Sequence, residues 1–337
     1  MTGVQLSTIP LADSFGRVAT DLRVSLTDKC NLRCTYCMPA DGLPWIARDE
    51  LLTDEETIRL VTVAVEMLGI REVRFTGGEP LLRPGLVAII AATSALIPRP
   101  DVSLTTNGIG LERVVDELAA NGLTRINVSL DTLRPDRFAT LARRDRLPDV
   151  LRGMRAAQEA GLSPVKANAV LIRGVNEDEA PDLLRFCLDN GYELRFIEQM
   201  PLDADHTWRQ DNLVTGEEIL ASLTAHFTLT PVGEARGSAP AERWLVDGGP
   251  ATVGVIASVT RPFCAACART RLTADGQVRN CLFSTGETDL RGLVRGGASD
   301  AEIAERWRSA MWGKASGHGI GTPAFSAASR SMSAIGG

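Results

Sequence analysis

Apolar residues recur along this chain with two alternating periods. Short strand-like segments occupy Leu22–Leu26, Glu72–Thr76, Val102–Thr106, Arg125–Leu130, Val165–Leu171 and Glu193–Glu198. Between them, a helical period predicts helices over Thr53–Leu68, Pro84–Leu96, Leu111–Ala120, Pro148–Ala160 and Glu177–Asp189. Gly69, Gly122, Gly161 and Gly191 stand just past four of these stretches, where a helix end takes a left-handed residue. Asp54 and Asp178 place acids in first turns, where the helix dipole favours them.

Six consecutive strand–helix units imply a parallel sheet, because each helix returns the chain to start a strand in the same direction. Both a doubly wound sheet and a barrel satisfy that rhythm. The strand ends favour a barrel, since each runs into polar or glycine-rich residues: Cys30 to Cys37, Gly77-Gly78-Glu79-Pro80, Thr105 to Gly108, Ser129 with Asp131, Lys166 with Asn168, and Glu198 to Met200. A β/α barrel collects all its strand C-termini around one site. The expected fold is an α/β, incomplete (β/α)6 TIM-type barrel, left partly open by its missing two units.

After about residue 213 the rhythm changes. A helix over Gly216–His226 precedes strand-like segments at Arg243–Val246 and Thr252–Val259. A hairpin follows over Arg271–Cys281 with Asp275-Gly276 as its turn, and a last helix over Asp300–Met311. The expected division is a partial barrel over residues 1–212 and a smaller α+β extension over 213–337.

Composition narrows the class. Apolar residues make up 44% and charged residues 23%, which is globular. No run approaches a membrane span; the longest, Val87 to Ile97, contains Thr93 and Ser94 and reads as a buried helix. The start of the chain has no signal-peptide pattern, so a cytoplasmic protein is expected. A net charge of −6 argues against a general nucleic-acid binder, and an anionic substrate would need a local group of arginines.

The cysteines point to metal. Six of the seven form two triplets, Cys30/Cys34/Cys37 and Cys264/Cys267/Cys281, while Cys187 reads as inert helix packing. Each iron of a [4Fe–4S] cube needs one outside ligand, so three thiolates leave the fourth iron open. Structural zinc is the alternative for both triplets, with His318 as a candidate fourth ligand for the second. Four arginines, Arg23, Arg74, Arg269 and Arg271, lie where they could face one barrel mouth and grip a triphosphate bidentately.

The motif CNLRCTYC, with Tyr36 before its last cysteine, resembles that of the radical S-adenosylmethionine (SAM) superfamily, and GGEP after the next strand strengthens the likeness. RFTGGEPLLR, LTTNG, INVSLDTL, RFIEQM, FCAACARTRL and the closing Ile-Gly-Gly extend it nearly end to end. Together they resemble the GTP 3′,8-cyclases of molybdenum-cofactor biosynthesis, which are radical SAM lyases. The resemblance implies two [4Fe–4S] clusters, one shared with SAM and one meeting the substrate. It implies SAM binding by Tyr36, Gly78, Ser129 and Met200, and GTP binding by Arg23, Arg74, Thr105, Lys166, Arg269, Thr270 and Arg271. Arg195 is implied at the same site, and the Gly336-Gly337 tail is implied to reach it. Implied partners are a flavodoxin or ferredoxin as electron donor and cyclic pyranopterin monophosphate synthase as product acceptor. A homodimer is compatible with it. Two rivals stay open: a peptide-modifying radical SAM maturase and a two-cluster electron carrier.

Overall fold

A computed structural model describes residues 9–336 apart from 204, 235, 323, 324, 326, 327 and 329. Six strands form the expected parallel series: β1 (Asp21–Ser25), β2 (Glu72–Thr76), β3 (Asp101–Thr106), β4 (Arg125–Ser129), β5 (Val165–Val170) and β6 (Glu193–Ile197). They lie side by side in chain order, each parallel to the next. Their helices are α1 (Asp54–Glu66), α2 (Leu86–Ser94), α3 (Val115–Ala120), α4 (Pro135–Ala142), α5 (Leu147–Glu159) and α6 (Ala180–Asn190). Capping is local and legible: Thr53 and Glu56 close a reciprocal capping box at the start of α1.

The remaining segments are α7 (Gly216–Thr224), β7 (Leu229–Pro231), β8 (Glu242–Val246), β9 (Thr252–Ile256), β10 (Arg269–Leu272), β11 (Gln277–Arg279), β12 (Thr288–Asp289), α8 (Arg291–Arg295), α9 (Asp300–Trp312) and α10 (Met332–Ile335). They extend both edges of the parallel series. β9 pairs parallel with β6, and β10 pairs parallel with β1. Among the described residues the sheet therefore has twelve strands, in the order β12-β11-β10-β1-β2-β3-β4-β5-β6-β9-β8-β7. A short antiparallel hairpin, Leu11–Ala12 with Val18–Ala19, stands apart from it.

Three details depart from the expected pattern. α4 is an additional helix, opened by Pro135 in its first turn. The Leu111–Ala120 stretch divides into a 3-10 turn, Leu111–Arg113, and α3. The last helix of the chain is α10, one turn long and close to the C-terminus, instead of α9.

The six central strands alternate, with Val170 and Ile197 the apolar exceptions on the lumen side. Leu22, Val24, Val73, Phe75, Val102, Leu104, Ile126, Val128, Ala167, Ala169, Leu194 and Phe196 are all buried and belong to the main apolar core. The intervening positions are polar: Asp21 and Arg23, Glu72 and Arg74, Ser103 and Thr105, Arg125 and Asn127, Lys166 and Asn168, Glu193 and Arg195. A parallel sheet covered by helices on both faces reads as nearly continuous apolar runs. Here the second face is polar because it surrounds a cavity of about 540 Å³, lined by Asp21, Arg23, Arg74, Asn127, Lys166 and Arg195 among others.

Candidate active site

The cysteine loop leaves the C-terminal end of β1. The Cys37 and Met38 amides both donate to the Cys34 carbonyl at 2.9 Å, folding the loop tightly. The Arg33 and Thr35 amides donate to the Ala142 and Leu141 carbonyls, so the end of α4 anchors it. Burial pushes the thiols of Cys30 and Cys34 upward and that of Cys37 up to about 12; Cys30 raises both Cys34 and Cys37 further, and Cys37 raises Cys34. Three neutral thiols close enough to interact suit a group that takes them as thiolates and releases their protons.

Gly77-Gly78 packs this loop. The Gly78 amide donates to Thr27 O at 2.7 Å and the Glu79 amide to Lys29 O at 2.8 Å. A Cβ on Gly78 would collide with the Asp28 and Lys29 carbonyls, so only glycine allows the two loops to lie in contact. Glu79 is fully buried and accepts from Leu81 N, Thr106 Oγ1 and Asn107 N, tying in the loop after β3. Burial pushes its carboxyl up to about 7. The Tyr36 hydroxyl donates to Asp131 at 2.7 Å, and Asp131 accepts the Val170 amide, joining the cysteine loop to β4 and β5.

The second triplet faces the other side of the mouth. Cys264, Cys267 and Cys281 line a second cavity of about 240 Å³ together with Arg23, Arg74, Thr105, Asn168, Met200, Arg269 and Arg271. Lys314, buried, donates to Cys267 Sγ at 3.4 Å. Burial opposes ionisation of Cys267, but Lys314 and Arg269 outweigh it and lower the thiol.

The donor set favours a cube over zinc. A tetrahedral zinc would draw its thiolates to within about 4 Å of one another. Among the described residues no three His, Cys, Asp or Glu side chains are grouped to hold one ion. His318, the candidate fourth ligand, has both nitrogens engaged: Nε2 with Ser258 O at 2.9 Å and Nδ1 with the Ile320 amide at 3.0 Å. Each triplet offers three thiols and no fourth cysteine, the number that leaves one iron of a cube open.

The cations converge as a set. Asp21 takes Arg23 bidentately, at 3.0 Å for both contacts, and Arg269 at 3.3 Å. Glu193 takes Lys166 at 3.3 Å and Arg195 at 3.2 Å. Arg74 has a 3.2 Å bond to Ser103 Oγ and, among the described residues, no carboxylate at ion-pair distance. Burial and the charges of Arg23 and Arg125 hold its acidity well away from the usual arginine range. Lys166 is lowered to about 8 by burial and Arg195, and Arg271 to about 9 by burial and Arg23. The side-chain oxygen of Asn168 is buried and, among the described residues, has no hydrogen-bond partner, an acceptor facing the cavity.

Thr270 does not join them. It is fully buried on the opposite face of β10, where its hydroxyl accepts the Trp307 indole N–H at 3.0 Å. Strand alternation turns it toward α9 while Arg269 and Arg271 turn inward. Asp21, Asn127, Asn168 and Glu193 are wall residues that motif reading passes over; the polar–apolar alternation of the parallel strands is the signal that reveals them. Ser129 ends β4 in register with Asn168.

The tail reaches this site. The Ser333 amide donates to Cys37, the Gly336 carbonyl accepts from Arg271, and Ile335 is buried with Leu202 and Phe283. A Cβ on Gly336 would meet Thr76 Cγ2 at 2.9 Å and Ser25 Cβ at 3.1 Å. Gly337 lies outside the described residues.

A partial β/α barrel carrying CxxxCxxC after its first strand and a glycine pair after its second defines a radical SAM enzyme. The model of the Radical SAM superfamily matches residues 24–187, and that of Molybdenum Cofactor Synthesis C matches 192–320. The chain is 67% identical to the GTP 3′,8-cyclase of Streptomyces coelicolor, covering 97% of this chain and 96% of that one. It is 60% identical to the GTP 3′,8-cyclase of Mycolicibacterium smegmatis, over 97% and 92%. It belongs to the GTP 3′,8-cyclase family. Among solved structures, Streptococcus suis SuiB bound to its precursor peptide SuiA shares the fold, with a TM-score of 0.58 at 14% identity over 88% of this chain and 66% of that one.

Proposed function

We propose that this chain converts GTP to (8S)-3′,8-cyclo-7,8-dihydroguanosine 5′-triphosphate, joining C3′ of the ribose to C8 of the guanine in the first step of molybdenum-cofactor biosynthesis. The observation that carries the reading is one barrel lumen lined by the second cysteine triplet and by Arg23, Arg74, Lys166, Arg195, Arg269 and Arg271, with the first triplet in the loop that follows β1. When bound, two [4Fe–4S] clusters and SAM supply a 5′-deoxyadenosyl radical and the electron that generates it.

The chain's own residues supply placement and charge. Cys30, Cys34 and Cys37 hold three irons of the first cluster, and Cys264, Cys267 and Cys281 three of the second. Met200 and Ser129 border the SAM position. Gly78 and Tyr36 serve it by fixing the cysteine loop, since the Tyr36 hydroxyl is committed to Asp131. Arg23, Arg74, Lys166, Arg195 and Arg269 receive the triphosphate, which displaces Asp21 and Glu193 as their counter-ions. Thr105 and Arg271 stand nearer the second triplet, on the purine side. The Gly-Gly tail closes the site between the two triplets.

The same reading assigns a division near residue 212, between barrel and extension. It also assigns a flavodoxin or ferredoxin as donor, cyclic pyranopterin monophosphate synthase as acceptor, a homodimer, and a cytoplasmic setting. Among the described residues no helix is long and apolar enough to cross a membrane.

The test is anaerobic incubation of reconstituted enzyme with SAM, dithionite and GTP deuterated at C3′. The product is an isomer of GTP, so it is read by chromatographic retention, and the deuterium is read in 5′-deoxyadenosine. Unlabelled 5′-deoxyadenosine with GTP intact would refute the reading.

A further inference from the structure

The docked tail is short, and most of its contacts are weak or apolar. α10 is a single turn, and Ile335 is its one fully buried side chain. One residue before Ser331, however, Arg330 makes a forked ion pair with Asp275, at 2.9 and 2.8 Å, and a third contact with Glu287 at 2.7 Å. All three side chains are at least three-quarters buried. Glu287 also pairs with Arg279, which is fully buried, and Asp275 accepts the Thr273 hydroxyl at 2.6 Å. Isolated surface pairs contribute little, but a bidentate fork embedded in a network is the exception.

Both acids belong to one structural unit. Asp275 sits in the turn between β10 and β11, and Glu287 immediately precedes β12, which pairs with β11. β10 carries Arg269 and Arg271, and Arg271 donates to the Gly336 carbonyl. The segment 330–336 is thus fastened at both ends to the same sheet edge, outside by Arg330 and inside by Arg271.

We propose that Arg330, with Asp275 and Glu287, is an ion latch that positions the C-terminal tail in the barrel mouth. The inner fastening alone is a poor anchor, because Arg271 is also needed by the substrate. When Arg271 turns to a nucleotide, the outer fork keeps the tail over the site, and its opening lets substrate enter. Arg330 is a positioning residue in this scheme and touches no reactant. The latch deepens the proposed closing role of the Gly-Gly tail and rests on it for its functional meaning.

Hydrogen exchange at the backbone amides of residues 331–336, measured on the full-length reconstituted enzyme, tests it. Ala334, Ile335 and Gly336 donate to Ser331 and Met332 carbonyls, so these amides report docking of the turn. Arg330→Ala should speed their exchange by about tenfold, while amides of α9 stay unchanged. The double variant Asp275→Asn/Glu287→Gln should do the same, and adding Arg330→Ala to it should produce no further change. Unchanged tail exchange in Arg330→Ala, or effects that multiply, overturns the latch. Cyclisation is assayed on the same variants: a deprotected tail with full turnover would leave the latch standing and remove the tail's catalytic importance.

Discussion

Arg74 is the side chain around which the proposed anion site is organised. It is a cation on a polar lumen wall with a hydroxyl for a partner, between Arg23 and Arg125. Such a group lowers its free energy by acquiring an anion, whereas Arg23 must first give up Asp21. Arg74→Gln should therefore weaken GTP binding by about 1.5–3 kcal/mol, with little effect on guanosine, which lacks phosphates. Equal losses for both ligands in calorimetry would assign Arg74 to the fold instead. Lys166 adds a pH signature. Its amine is lowered to about 8, so the free protein loses this charge as pH climbs through 8, while bound phosphate favours the charged form. GTP affinity should be level below about pH 7 and fall steadily from about pH 8 to 9.5. Lys166→Met should bind more weakly at pH 7 and show a shallower fall. Titrations at constant ionic strength give that slope directly.

At the scale of elements, the loops matter more than the strands they follow. The glycine pair works by absence: its missing side chains let the Gly77–Pro80 loop lie against the carbonyls of Thr27, Asp28 and Lys29. Gly78→Ala must push one loop away from the other, and the cysteines begin at Cys30. The expected outcome is a loss of about 1–3 kcal/mol in stability with a weakened SAM-binding response. Far-ultraviolet melting and SAM titration of the same sample check it; native SAM binding in a well-folded Gly78→Ala would mean that the contact tolerates a methyl. α4 belongs to the same scale. Its end holds the cysteine loop through Leu141 and Ala142, a duty that its own sequence, PDRFATLA, does not advertise.

The whole molecule is a sheet whose two edges are both extended by the later part of the chain. That arrangement brings Cys264, Cys267 and Cys281 to the same mouth as the cysteine loop, although they lie far apart in sequence. Two cubes imply about eight irons in the reconstituted chain. Cys34→Ala should keep about four, in the second cluster, and form no 5′-deoxyadenosine. Iron and zinc analysis measures this. Four irons with one zinc in the native chain would show that the second triplet is a zinc site despite the engagement of His318.

Local physics settled much of this protein before any folding was considered. Strand and helix identities follow from short-range periodicity, the helix ends from glycines such as Gly161 and Gly191, and the candidate clusters from cysteine spacing. All of these are relations between residues within one turn or one loop. β2 coincides with its predicted span, β1 is shifted by one residue, and the other four central strands differ by one residue at one end. What only the tertiary structure decided is parity and proximity. Thr270 stands between two site arginines in sequence, yet it faces α9, because β10 joins the edge of β1 in one register alone. Asp21 and Glu193 look like ordinary surface acids until the lumen closes around them and makes each the counter-ion of two cations. Arg330 meets Asp275 and Glu287 only because the tail is laid against the β10–β12 edge of the sheet. Such contacts join residues tens to hundreds apart, and only the packing of the whole sheet determines which of them meet.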